Sequence, residues 1–572
     1  MADKGLSKQE KQRLKEKEKF ERERQQWKKQ EARKRVKKTG KKDRGPVLFK
    51  TLAIVLVAAI ALGLVSIFAR AYGVPGQFMP ALTVGAQNVK APVWAFNFYN
   101  LYRNMYDYGM IYGMDTSKTL FGQAMKDAEG KVTGTWDEYF RKQVNQSLQN
   151  EIALYSEAKK AGFQLGKKDL DELDETMKQL KVTAAAYSMS VNSYLRSNYV
   201  PGITGKTFRA LEERRLVVQG FSEQKSEEFR ANHPASELRE EYDKDPTLYN
   251  LVDYRIYQFA KEKLVADEGE STSDLVKRQL AADDAVIEQA RGFISDGGTQ
   301  EGFIAGAQAL YDAQHQHEEG EEVDDYDADA ATLNLRQKKA DISGTYGDEK
   351  FAAWFFDAAR KAGDTTTWET DSAVYAAYLA RPSYAQTTVD FYTINVAFPE
   401  HEHEEGEEHS DDELTPQEQA KQNADNLLAK WQENGGTKEA FVALVKEQAT
   451  AAELEEGTPG LNEKAVPGGS GIAALDSWLF DAARKPGEAT VIEASDSYKV
   501  VYLSSQNADS FVWQGEIADK FVEEDYTEYV TGLQEQYKLG YHGIGIRYAV
   551  KDAQKMCDAF MEYAAASQQG YY

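Results

Sequence analysis

Residues 354–364 read Trp-Phe-Phe-Asp-Ala-Ala-Arg-Lys-Ala-Gly-Asp, and residues 478–488 read Trp-Leu-Phe-Asp-Ala-Ala-Arg-Lys-Pro-Gly-Glu. So close a recurrence marks an internal repeat, and working outward extends it. Upstream, Val252-Asp-Tyr-Arg-Ile-Tyr-Gln-Phe-Ala260 recurs as Val389-Asp-Phe-Tyr-Thr-Ile-Asn-Val-Ala397. Both stretches are aromatic and β-branched enough to be strands. Between them and the Trp blocks, Gly297-Gly298-Thr299 recurs as Gly435-Gly436-Thr437. There, glycine ends one helix and threonine caps the next. Downstream the copies run without a gap to strands ending at Tyr378-Leu379 and Tyr502-Leu503. Each copy therefore reads strand, helix, Gly-Gly turn, helix, strand.

The chain has 572 residues, enough for three or four folded units, and a net charge of −24. That charge is unevenly spread. Residues 1–50 hold 20 Lys/Arg against 8 Asp/Glu (net +12), leaving −36 for residues 51–572. Between them Thr51–Ala69 is free of charge and bracketed by Lys50 and Arg70. At 1.5 Å per residue it reads as a single membrane-spanning helix, with the lysine-rich side in the cytoplasm. A cleaved signal peptide is the rival, because Ala69-Arg70-Ala71 has A-x-A spacing.

Residues 72–247 read as helices. Thr135-Trp-Asp-Glu138 is a capping box, and Phe140, Val144, Leu148 and Ile152 follow at helical spacing. Leu170, Leu173, Met177 and Leu180 form a second stripe, and Phe208, Leu211 and Val218 a third. The stretches 99–114 and 187–199 are rich in Tyr and Met, which suit adaptable contact with apolar peptide. Candidate binding residues are Tyr102, Tyr106, Met110, Tyr187, Met189 and Tyr194; ordinary core packing is the competing role.

The extended stretch Ala91–Tyr99, the segment EIALYSEAKKAGFQLGKKDLDE at 151–172 and HPASELREEYDKDPTLY at 233–249 resemble the helical chaperone lobe of SurA/PrsA-type folding factors. The duplicated unit resembles the parvulin-type prolyl isomerase domain that follows that lobe. The resemblance implies an α+β fold with a single N-terminal transmembrane helix, a helical lobe, two tandem parvulin-like domains and C-terminal helices. The corresponding segments are a basic arm (1–46), an anchor (47–71), a lobe (72–247), two domains (248–382 and 387–506) and a helical tail (507–572). Parvulins carry facing histidines in the first and last strands. Here the matching positions are Gln258 and Tyr375 in one copy and Asn395 and Lys499 in the other, none a histidine. Efficient isomerase chemistry is therefore not expected of either copy.

Five of the seven histidines fall in acidic insertions: His315 and His317 in one, His401, His403 and His409 in the other. Imidazole beside carboxylate can ligate a divalent metal, with a solvated loop as the alternative. No G-x-x-x-x-G-K-[ST], G-x-S-x-G or H-E-x-x-H occurs, and Cys557 stands alone as a buried small residue. The acidic body argues against nucleic acid as a partner. The resulting expectation is a bacterial, membrane-anchored extracytoplasmic chaperone or foldase for unfolded or newly translocated polypeptides, without a cofactor. An active prolyl isomerase and a tethered scaffold with metal-capturing loops are the alternatives.

Overall fold

The computed structural model describes residues 74–111, 113–115, 117–127, 129–296, 298–314, 326–399, 414–455 and 457–569 as a mixed α+β chain. It divides into two compact units, one running up to Phe229 and resuming at Val522, the other being Arg230–Phe521. Among the described residues no helix is long and apolar enough to cross a membrane. The expected fold class is corrected accordingly: mixed α+β, without the membrane-spanning helix. The single-pass localisation, with an extracytoplasmic body at a bacterial cell membrane, falls with it. The stretch 47–71 on which both rested lies outside the described residues.

In the first unit, strands Pro80–Val84 and Gln87–Lys90 form a hairpin, and Leu539–Tyr541 pairs antiparallel on the other side of Pro80–Val84. Helix Ala91–Asp107 begins directly after the hairpin, with Pro92 in its first turn. The expectation of an extended Ala91–Tyr99 is thus also corrected. Proline's fixed φ suits a helix start, and Trp94, Phe98 and Tyr102 recur every fourth residue. All three are fully buried, in one core with Ala549, Ala553 and Cys557 of helix Gly543–Gln569. Burial pushes the Cys557 thiol well up, as suits a packed rather than a reactive cysteine. A Cβ on Gly545 would lie 1.7 Å from the Pro80 carbonyl oxygen, so only glycine admits this approach of helix to strand. The capping box at helix Trp136–Lys160 is present: Thr135 Oγ1 accepts from the Glu138 amide, and Glu138 accepts from the Thr135 amide.

In the second unit the repeat becomes two four-stranded antiparallel sheets. In chain order the first contains Leu251–Ala260, Leu333–Lys338, Thr365–Glu369 and Ala373–Tyr384. The second contains Thr387–Ala397, Leu461–Ala465, Ala489–Glu493 and Ser497–Phe511. In both, the first and last strands are central neighbours, the second strand flanks the first and the third flanks the last. Two helices cover one face of each sheet: Thr272–Asp296 with Gln300–Gln314, and Pro416–Glu433 with Lys438–Gln448. Thr299 and Thr437 cap the second helix of each pair, accepting from the amides of Gly302 and Ala440.

One device recurs in both sheets. Leu335-Arg336 oppose the single residue Asp253, and Glu463-Lys464 oppose Asp390, so each second strand is bulged. Arg336 and Lys464 have φ of 54° and 51°, the left-handed region that side chains adopt only under compensation. The compensation is a carboxylate. Asp253 Oδ1 accepts from the Arg336 amide at 2.7 Å, and Asp390 Oδ1 from the Lys464 amide at 2.8 Å. Asp390 also accepts from Asn507 and Ser505. Burial works to raise the Asp390 pKa. The hydrogen bonds from the Lys464 amide, Asn507 and Ser505 outweigh it and hold the carboxyl below its usual range.

A group whose folded pKa is depressed stabilises above its unfolded pKa and loses that contribution as pH falls through the folded value. Asp390→Asn is therefore expected to cost about 1–3 kcal/mol at pH 7 by urea unfolding. The deficit should persist down to about pH 3.9 and shrink below it as the folded carboxyl protonates. An equal deficit at every pH would show that the charge has no part in holding the bulge.

Candidate functional site

The face of each sheet turned away from its helix pair differs between the copies. In the second, a cleft of about 600 Å³ opens there. Phe391 and Thr393 line it from the first strand, and Asn462, Lys464 and Ala465 from the bulged edge strand. The Gly-rich turn contributes Ser470, helix Ala473–Leu479 contributes Leu475, Asp476 and Leu479, and the last strand contributes Lys499. The turn needs its glycines, since Gly468 and Gly471 have φ of 81° and 68°. Ser470 Oγ accepts from the Ile472 amide and fixes the entry to the short helix.

The same face of the first copy is packed. The stretch from Arg336 to Trp354 is four residues longer than its counterpart from Lys464 to Trp478. The longer stretch forms helix Lys339–Tyr346. The Tyr346 ring meets Tyr375 edge-on at 5.0 Å and Phe351 at 5.3 Å. Phe351 stacks on Trp368 at 5.3 Å, and Tyr254 packs on Phe355 at 4.6 Å. Where the second copy presents Thr393, Leu475 and Asp476, the first presents Ile256, Phe351 and Ala352. Aromatic rings thus fill the space that is open in the second copy.

The four strand positions singled out in the sequence meet in pairs. Gln258 lies directly opposite Tyr375, and Asn395 directly opposite Lys499. The Lys499 ammonium donates to Asn395 Oδ1 at 2.8 Å. Tyr375 is instead drawn into the aromatic filling beside Tyr346, while Gln258 stays exposed. Asn and Gln amides carry no titrating proton, so neither pair reproduces two facing imidazoles. The second pair can offer hydrogen bonds to a backbone carbonyl or amide.

The candidate peptide-contact residues of the helical region are scattered by burial. Tyr102 is fully buried and its hydroxyl donates to Met561 Sδ, so the proposed contact with a client is corrected to core packing. Tyr106 is half-buried edge-on to Phe560, whereas Met110 is 50% exposed. Tyr187 and Tyr194 come together at 5.8 Å, half-buried, and Met189 is half-buried as well. His315, His317, His401, His403 and His409 lie outside the described residues. Among the described residues no group of three or more His, Cys, Asp or Glu is placed to hold a metal.

Thr393, Lys464, Ser470 and Asp476 were not singled out in the sequence. The aligned repeat contains the signal for one of them, an aspartate where the other copy has Ala352. No protein-family model matches this chain, and no curated protein matches it significantly.

The contrast in filling sets the expected energetics. Phe351→Ala should cost about 3–5 kcal/mol, because a fully buried ring leaves a cavity among other rings. Lys499→Met at the cleft should change stability by less than about 1 kcal/mol. Urea unfolding of the two variants checks this; comparable losses would mean that the second copy's open face is as tightly packed as the first.

Proposed function

We propose that the chain is a polypeptide-holding chaperone whose second α+β copy grips an extended client segment, while the first copy serves as a packed scaffold. The observation that carries this reading is the open cleft at Thr393, Asp476 and Lys499, set against its aromatic-filled counterpart. A cleft of this size, with apolar Phe391, Leu475 and Leu479 beside a few polar groups, suits a few residues of extended peptide. Exposed Tyr108 and Met110 at the end of the aromatic helix supply further adaptable surface in the first unit. Prolyl isomerisation has a barrier of about 20 kcal/mol and needs no covalent nucleophile. With Asn395 and Lys499 in place of facing histidines, holding rather than turnover is the activity supported.

The test uses the full chain. Light scattering of an aggregating, chemically unfolded client is followed beside cis/trans isomerisation of a proline peptide. Suppression of aggregation with little acceleration of isomerisation is expected. Thr393→Trp, which fills the cleft, should weaken holding by about tenfold, equivalent to 1.4 kcal/mol. Strong acceleration abolished by Lys499→Ala would instead make the protein an isomerase. Absence of both activities would overturn the reading.

A further inference from the structure

Asp476, in the first turn of helix Ala473–Leu479, is only 7% exposed, and its carboxylate makes no hydrogen bond or ion pair among the described residues. Its oxygens are not sealed off, since the residue lines the cleft, so the charge is open to a partner that enters there. The fold does not require the charge, since the first copy has fully buried Ala352 at this place. Neither lysine of the cleft supplies the counter-charge. Lys499 donates to the Asn395 amide, and Lys464 forms no ion pair among the described residues. The carboxylate lines a cleft wide enough to admit a side chain from outside. Asp476 and the exposed Glu463 of the edge strand, with amides and hydroxyls around them, provide too few ligands for a hard cation, which takes six or more oxygens. A charged organic group from a bound segment fits better, through charge-assisted hydrogen bonds.

We infer that the cleft of the second copy takes an extended peptide segment carrying a lysine or arginine, whose cation pairs with Asp476. This inference rests on the peptide-holding reading and gives it a substrate class: clients with basic residues in apolar surroundings. The Asn395–Lys499 pair then faces the segment's backbone, and Phe391, Leu475 and Leu479 face its apolar neighbours. Copy one, with alanine and a filled face, has no such preference.

Binding of fluorescently labelled peptides to the full chain at physiological salt provides the test. The peptides are identical extended sequences with Lys, Arg, norleucine or Glu at the centre. Salt at this level suppresses general attraction of cationic peptide to a chain of net charge −24. The Lys and Arg peptides should bind about tenfold or more tightly than the norleucine peptide. In Asp476→Ala and Asp476→Asn the ratio should fall to about one. Preference for the basic peptides surviving in both variants would overturn the assignment to Asp476. Equal binding of all four peptides, lost in Thr393→Trp, would overturn the inference and leave the chaperone reading standing. Failure to bind any of them, while an unfolded client is still held, would place the client surface outside the cleft and overturn the inference. Failure to hold peptide or client would overturn both.

Discussion

One hydrogen bond repeated in two sheets sets the edge of the candidate site. Asp253 and Asp390 each hold a neighbouring amide whose residue lies in left-handed backbone, and the second strand bulges around that contact. A bulge bends its strand and re-aims the residues that follow. In the second copy the bent edge places Asn462, Lys464 and Ala465 along a cleft. The first copy shares the bulge, so the bulge alone does not create an opening. What decides the matter is the packing above it.

The stretch that is four residues longer in the first copy folds into an eight-residue helix whose Tyr346 joins Phe351, Trp368 and Tyr375 over the sheet. Aromatic packing of that kind stabilises strongly and occupies the place that is open in the second copy. The second copy gives up this filling, with serine and glycine in the turn and aspartate in the short helix. Duplication makes such a division workable, because one copy can keep the stable packing while the other holds an open, partly polar face. On the proposed reading, the buried carboxylate and the unfilled volume are the same adaptation, both completed when a client segment enters.

Much of the scaffold was legible in the sequence. The Trp-to-Gly blocks, the aromatic strands and the Gly-Gly-Thr turns mark a duplicated α+β unit, because strand and helix periodicities leave direct traces in residue order. Thr135 and Glu138 announced a helix start for the same reason. Ala91–Tyr99 misled, since a run of aromatic and β-branched residues suits a strand as well as a buried helix; Pro92 was the clue to the helix. Tyr102 misled in another way: composition cannot distinguish a Tyr that faces solvent from one in the core. The site was less legible still. The bulge depends on a carboxylate reaching a backbone amide 74 or 83 positions away, which no local pattern reveals. The Asp476-for-Ala352 difference was visible, but its meaning depends on a cleft that only the fold defines.

On the proposed reading, client polypeptide occupies the second copy's sheet face and not the first's. Site-specific photo-cross-linking in the full chain tests it most directly, with the reactive group at Thr393 or at its counterpart Ile256 and an unfolded client present. Capture at 393, with little or none at 256, is the predicted result. Capture at 256 instead, or at neither position while the chain still suppresses aggregation, would contradict that placement of the client.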